Sequence, residues 1–184
     1  GEKISKSLGN VIDPRALVEK YGLDQVRYFL LREVPFGNDG DFSNAAMVTR
    51  INSELANDFG NLAQRVLSMV TKNCEGKVPE PGEFTEEDNT MLGAALEAGN
   101  ILRGCMDQQS FNGALDALWT VIRQANAYVD HQAPWKLRKE DPTRMATVLY
   151  VLAECIRRLA LLNQPFMPDT MAKMLDQLAV PEDQ

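Results

Sequence analysis

The sequence predicts a mainly α-helical fold, in which a helical bundle follows a small N-terminal element. Two observations lead to this prediction. Apolar residues recur at steps of three and four along several long stretches, which is the period of amphipathic helices. Segments rich in proline and glycine separate those stretches, as connections between helices do. With 184 residues, 45% of them hydrophobic, the chain is long enough to bury one substantial core.

We divide the chain into an N-terminal element at 1–42, a bundle at 43–178 and a tail at 179–184 that is expected to fray. No apolar run is long enough to cross a bilayer and no signal-peptide pattern is present, so we expect a cytoplasmic protein without a membrane segment. The three cysteines, Cys74, Cys105 and Cys155, are widely spaced. This spacing favours neither a disulfide framework nor a zinc site, so no metal is expected and the three thiols are expected to be buried.

The formal net charge of −7 argues at first against a nucleic-acid partner, because binding to phosphate depends on clustered lysine and arginine. The charge is unevenly distributed, however, since seven acids and one base fall between residues 75 and 97. Basic runs occur later, at Lys136, Arg138 and Lys139 and at Arg157 and Arg158. One face of the protein could therefore meet a polyanion while another stays acidic.

The chain opens on a polar segment, GEKISKSLGN, with lysines at positions 3 and 6. Two ammonium groups on flexible stems could fold over a polyphosphate, although the composition is also that of a solvated surface loop. Asp13 and Pro14 predict the start of a short helix that Gly22 ends.

A second helix is predicted over 24–32, with Val26, Phe29 and Leu30 on one face. The segment VPFGNDGDFS follows, and its glycines and proline predict a turn-rich crossing. A short strand over 34–36 is an open alternative within it.

The longest helix is predicted over 43–70, with one apolar stripe that needs partner helices. The stripe consists of Met47, Ile51, Leu55, Phe59, Leu62, Val66 and Met69. Asn61 and Arg65 are four residues apart on one shoulder of the stripe, where a polar pair can line a pocket closed by a second element. The alternative is an ordinary surface pair beside a core.

Four further helices are predicted after a linker. The first, over 86–108, is capped by Thr85 and starts with an acidic, solvated turn. The second, over 111–131, carries an apolar seam typical of a bundle core, with Trp119 beside it. The third, over 141–162, is apolar on most sides and should be the most buried, and a short helix over 169–178 covers the bundle end. The single histidine, His131, has no second histidine to form a metal or catalytic pair and is expected on the surface.

A helix break is predicted within the segment QAPWKLRK. Pro134 lacks an amide hydrogen and pushes Ala133 away from helical geometry. Trp135 then falls outside any periodic position, directly before the basic run at 136–139. An aromatic ring beside cations commonly holds single-stranded bases by stacking, while the cations meet phosphate. The alternative is that Trp135 plugs the end of the bundle.

Several segments resemble one protein family in order along the chain. KISKS is similar to the KMSKS signature of class I aminoacyl-tRNA synthetases, with Ile4 in place of methionine, and SLGNVIDP continues the pattern. FLLREVPFGNDGDFS resembles the methionine-specific members of that class rather than their leucine, isoleucine or valine relatives. With ANDFGNLAQR and YVDHQAPW, the resemblance to methionyl-tRNA synthetases covers essentially the whole chain.

The resemblance implies a role for each segment. Lys3 and Lys6 would act in amino-acid activation, with Lys6 on the ATP phosphates, and Ser5 and Ser7 would complete the ATP-binding loop. The anticodon would be read by Asn61, Arg65 and Trp135, with Asp130 and Asn126 nearby. The implied partner is the anticodon stem-loop of tRNA(Met), and the implied substrates of the parent enzyme are ATP and methionine.

The same resemblance predicts what the chain cannot do alone. Activation in this class requires a nucleotide-binding Rossmann domain whose signature contains two histidines, and the chain has one histidine in total. We therefore expect the Rossmann domain to be absent, and the chain alone to bind no ATP and to form no methionyl-adenylate. Two alternatives remain at this stage, the equivalent domain of another class I synthetase and a non-enzymatic helical interaction module derived from one.

Overall fold

The structure, a computed structural model, describes residues 11–35, 37–38 and 42–179. These residues are mainly α-helical and contain no strand, so the predicted fold class is confirmed. Phe36, and Lys3, Ser5, Lys6 and Ser7 of the KISKS segment, lie outside the described residues. The helices are α1 (Pro14–Tyr21), α2 (Leu23–Glu33), α3 (Asn44–Arg50), a π-helical segment (Ile51–Gly60), α4 (Asn61–Asn73), α5 (Glu86–Asp107), α6 (Phe111–Gln132), α7 (Pro134–Glu140), α8 (Pro142–Asn163) and α9 (Pro168–Gln177).

A small apolar core joins α2 to α3. Val26 and Phe29 of α2 meet Met47 of α3 there. The prediction for Leu30 is wrong, since its side chain is half exposed, and Tyr28 points inward instead and joins the main core. Because α3 begins after residue 42, this small core crosses the boundary that we placed at 42/43, and the division of the chain stays a prediction.

One continuous helix runs over residues 44–73, close to the predicted 43–70. Its middle ten residues, the π segment Ile51–Gly60, are π-helical, with hydrogen bonds that reach five residues back instead of four. At the end of the segment the Asn61 amide donates to the Ala56 carbonyl. A helical wheel drawn at 3.6 residues per turn therefore misplaces side chains in this stretch.

The main core lies where α4, the π segment, α5, α6 and α8 pack together. Trp119 of α6 is fully buried in it, as predicted. Its ring lies 4.7 Å from that of Tyr28 and 6.1 Å from that of Phe59, measured between ring centroids. α8 contributes more buried residues than any other described helix, as its apolar sequence predicted.

The first turn of α5 is only partly solvated, which corrects the interpretation of one of its acidic residues: Glu86 and Glu87 are exposed, but Asp88 is not. Thr85 caps the helix as predicted, but Asp88 is fully buried. The Asp88 carboxylate accepts hydrogen bonds from the Tyr128 hydroxyl of α6 (2.5 Å) and from Arg144 Nη2 of α8 (2.7 Å). Asp88 therefore ties three helices together.

A short helix, α7, follows the break at the end of α6, and the sequence did not predict it. Ala133 adopts a left-handed conformation, with φ 45° and ψ 58°, and α7 begins at Pro134. Trp135 therefore lies in the first turn of a short helix and not outside any helix. His131, just before the break, is exposed as predicted, but its Nδ1 lies 3.2 Å from a carboxylate oxygen of Glu87.

The start of α9 is held against α2. The Thr170 amide donates to Asp24 Oδ2 (2.6 Å). Arg27 donates to the carbonyl oxygens of Pro165 (2.7 Å) and Phe166 (3.1 Å). The last helix is thus fixed to the N-terminal part of the chain by polar contacts as well as by the core.

Two expectations concern cysteines and membrane segments. Cys155 is buried, as predicted, whereas Cys74 and Cys105 are partly exposed, and all three are free thiols. Within the described ranges, no helix is both long and apolar enough to span a bilayer.

Candidate nucleic-acid interface

One side of α6 faces the long helix through hydrogen-bonding side chains. It consists of Trp119, Arg123, Asn126 and Asp130, hereafter the α6 stripe, which are spaced by four, three and four residues. The Trp119 indole donates to the Glu54 carbonyl oxygen (3.1 Å), and Arg123 Nε donates to the Asp58 carboxylate (3.3 Å). The α6 stripe therefore contacts the π segment at two positions one turn apart.

Arg65 lies at the far end of the α6 stripe and meets two of the predicted site residues. Its Nη2 lies 2.6 Å from Asp130 Oδ1, and its guanidinium carbon lies 5.5 Å from the centroid of the Trp135 ring. The Arg65 side chain is 30% exposed and Trp135 is 45% exposed. A cation over an indole ring is an attractive contact, so Arg65 and Trp135 orient each other.

A small cleft of about 210 Å³ opens beside this pair, between α4, α6, α7 and α8. Its walls are apolar except for Arg65. Such walls are typical of a site where a flat ligand packs on an aromatic ring. The lining residues are Arg65, Val66, Met69, Val129, Pro134, Trp135, Leu149 and Leu152.

The two asparagines implicated by the resemblance lie in different surroundings. Asn61 is exposed one turn before Arg65, and among the described residues its side chain has no hydrogen-bond partner. The Asn126 amide nitrogen instead donates to the carbonyl oxygens of Asp58 (3.0 Å) and Ile122 (3.3 Å). Asn126 Oδ1 is buried without a partner within the described part of the chain.

The basic run after Trp135 is available to solvent. Lys136, Arg138 and Lys139 are all exposed on α7, and none of them forms an ion pair with a described residue. Arg157 and Arg158 of α8, the other basic run, are both paired with Glu154. Free cationic charge is therefore concentrated beside the Trp135 ring.

A cluster of charges surrounds the buried Glu54 carboxylate in the π segment, and it was not predicted from the sequence. The Glu54 carboxylate accepts a hydrogen bond from the Tyr28 hydroxyl and lies 2.9 Å from Arg50 Nη1 and 3.5 Å from Arg123 Nη2. Burial and the bond to Glu54 raise the pKa of Tyr28 far above its ordinary value, so this hydroxyl stays a donor. Only the Arg50–Glu54 pair, four residues apart, carries a signal that the sequence could have shown.

The arrangement can stack and hydrogen-bond flat ligands. Across residues 11–35, 37–38 and 42–179, no cluster of three or more potential metal ligands is found. In the structure Arg65 contacts both Asp130 and Trp135, and Asn61 lies one turn before Arg65 on α4, whereas Asn126 turns toward the π segment. A half-exposed ring beside a guanidinium and free cations on a helical bundle defines a surface suited to unstacked bases.

Comparison with known proteins identifies the class and then the family. Residues 1–67 match a family model described as tRNA synthetases class I (M). Residues 78–184 match a second one described as the anticodon binding domain of methionyl tRNA ligase. The chain belongs to the methionyl-tRNA synthetase family.

Its relatives are longer proteins. The chain is 59% identical over 183 residues to methionine–tRNA ligase of Brucella suis biovar 1 and 54% identical over 188 residues to that of Mycobacterium leprae. All of this chain is covered in both cases, but only 36% and 35% of the relatives, so it spans about a third of their length. It also superposes on Mycobacterium tuberculosis methionyl-tRNA synthetase in complex with methionyl-adenylate, with a TM-score of 0.97 and 53% identity, covering all of this chain and 37% of that one.

Proposed function

We propose that this chain binds the anticodon of a methionine tRNA as part of a methionine–tRNA ligase. The parent enzyme activates methionine with ATP and transfers it to tRNA(Met). The family and the full-length match along the chain support this proposal. The alternative of another class I synthetase finds no support in these comparisons.

One observation carries the proposal, namely the position of Trp135. Its ring is half exposed and lies against Arg65, at the mouth of a cleft and beside free cations. The alternative, a ring that plugs the bundle end, would require burial. An unstacked anticodon base, most simply the first one, a cytosine in the methionine anticodon, would stack on this ring.

Neighbouring residues supply directional contacts. The free amide of Asn61 can donate to and accept from a base edge, and the planar fork of Arg65 suits a base carbonyl or a phosphate. Asp130 holds Arg65 in place in the free protein, through the 2.6 Å ion pair. Sequence would thus be read from splayed bases and not from a duplex.

The KISKS segment would act elsewhere in the parent enzyme. Lys3 and Lys6, with Ser5 and Ser7, would close over the phosphates of ATP that a separate catalytic domain binds. Lysine suits this role because its charge can follow the negative charge that builds on the leaving pyrophosphate.

The test is a titration with RNA stem-loops that differ only in the anticodon. We expect the chain to prefer CAU, and Trp135→Ala to weaken CAU binding by about 5- to 150-fold, because stacking is worth about 1–3 kcal/mol per base. Trp135→Phe keeps an aromatic face and should retain part of the affinity. Leu96→Ala, at an exposed apolar position on α5, is the matched control and should change nothing. Equal binding of all stem-loops would refute the proposal and favour a non-enzymatic interaction module.

A further inference from the structure

The direction in which Asn61 and Arg65 point is set by the π segment that precedes them. In an α-helix, one residue more or fewer turns everything that follows by about 100° around the helix axis. The π segment lies directly before Asn61, so its register decides which side of the bundle α4 presents with Asn61 and Arg65. If the segment relaxed to ordinary α-helix, both side chains would turn around the helix axis, and Arg65 would be carried away from Trp135.

Gly60 makes this register possible. A Cβ atom at position 60 would lie 2.9 Å from the Leu55 carbonyl oxygen, five residues earlier, and that distance is too short for any side chain. The neighbour is backbone, so it cannot move aside as a flexible side chain would. At Gly93 on α5, by contrast, a Cβ atom would meet nothing within 4 Å.

Asn126, on α6, contacts the end of the π segment. Its amide nitrogen donates to the Asp58 carbonyl oxygen, which also accepts from the Asn61 backbone amide. The Asn126 side chain and the Asn61 backbone therefore share one acceptor at the last turn of the π segment. Trp119 of the α6 stripe contacts the segment one turn earlier, at the Glu54 carbonyl, and Arg123 contacts the Asp58 carboxylate.

We propose that Gly60 and Asn126 are positioning residues, which fix the π register and thereby aim Asn61 and Arg65 at the anticodon. Asn126 then acts through the Asp58 carbonyl and not as a base contact. Its amide nitrogen donates twice within the protein, and its oxygen is buried. This inference rests on the proposed function for the identity of the RNA, but the register itself can be tested without RNA.

The experiment compares Gly60→Ala, Asn126→Ala and Asn126→Asp with the unaltered chain. The aspartate variant keeps an acceptor but loses the amide donor, so it should behave like the alanine variant. Gly93→Ala and Asn100→Ala, both on the exposed side of α5, are the matched controls. Two quantities are measured for each variant, the NMR amide and Arg65 side-chain resonances of the free chain and the affinity ratio between CAU and other stem-loops. Thermal melts establish that each variant is folded.

We expect all three variants to shift the resonances of Asn61 and Arg65 in the free chain and to lower the preference for CAU by about tenfold, the cost of one misplaced base contact. The controls should change neither quantity. If the Asn126 variants lowered the preference for CAU but left the Asn61 and Arg65 resonances unmoved, Asn126 would contact a base directly. If the preference for CAU stayed unchanged in all three variants, the register would not matter for anticodon binding. Either result overturns the inference. If the unaltered chain binds all stem-loops equally, the proposed function fails, and the free-chain resonances alone decide whether Gly60 and Asn126 fix the register.

Discussion

Asp88 shows how a single side chain can combine a local and a long-range role. It completes the capping box with Thr85 at the start of α5, which the sequence predicts. The same carboxylate is buried against Tyr128 and Arg144, which lie 40 and 56 residues away in sequence. Burial by itself would raise its pKa, but the hydrogen bonds from Arg144, Tyr128 and the Thr85 amide outweigh burial and lower the pKa of Asp88 to about 2.

This pKa predicts an acid-dependent loss of stability. Since the pKa of Asp88 is lower in the folded chain than its ordinary value of 3.8, the unfolded chain takes up the proton first as the pH falls. The stabilisation is complete above about pH 4 and is lost between about pH 4 and pH 2, and it amounts to about 2 kcal/mol. Urea denaturation at several pH values measures it.

The control for that measurement is Asp88→Asn. This variant should be less stable at pH 7 by about 3 kcal/mol, because it leaves the Arg144 guanidinium without its carboxylate. Its stability should also fall less than that of the unaltered chain between pH 4 and pH 2. Parallel pH curves for the two proteins would contradict the role assigned to Asp88.

At the scale of the elements, the junction between α6 and α7 places Trp135. Ala133 ends α6, and its left-handed conformation turns the chain so that Pro134 can begin α7. That conformation costs an L-residue about 1–2 kcal/mol, and glycine adopts it without that cost. The ring at the next turn is therefore held by a strained backbone position.

We expect Ala133→Gly to stabilise the chain by about 0.5 kcal/mol, because the relief of strain exceeds the greater freedom of glycine in the unfolded state. Ala127→Gly, at an exposed position within α6, should have the opposite sign and cost about 1 kcal/mol. Thermal melts followed by circular dichroism measure both. Destabilisation by both substitutions to the same extent would contradict the strain at Ala133.

At the scale of the whole molecule, charge is separated along the chain. Acidic residues are concentrated in the linker before α5 and in its first turn, while α7 carries three unpaired cations among the described residues. Long-range attraction of RNA to the exposed side of α7 is therefore compatible with the net charge of −7 of the whole chain. Such attraction acts on phosphate and does not depend on base sequence.

Replacing Lys136, Arg138 and Lys139 together by alanine should therefore weaken CAU and other stem-loops to the same extent. The slope of log affinity against log salt should become smaller by about 2, since each lost phosphate contact on a single strand contributes about 0.7. Arg103→Ala, at an exposed position on α5, provides the control for a general charge effect. Selective loss of CAU binding would instead mean that α7 reads bases.

A further whole-molecule prediction concerns catalysis. We expect the chain alone to show no exchange between ATP and pyrophosphate, because its resemblance to class I synthetases implies an activation site with two histidines and the chain has one. In the parent enzyme, Lys6→Ala should slow this exchange, whereas Lys77→Ala, in the linker before α5, should not. Exchange catalysed by the chain alone would refute the prediction that a separate catalytic domain is needed for activation.

The sequence by itself determined where most helices begin and end, because caps, prolines and apolar periodicity act over a few neighbouring residues. It also singled out Asn61, Arg65 and Trp135, the first two from their helical spacing and the third from its place after a proline break. The tertiary structure alone decided the π register, the burial of Asp88, the short helix α7 and the contacts of Arg65 with Asp130 and Trp135. These features depend on side chains brought together from distant parts of the chain, and no local pattern encodes how helices pack against one another.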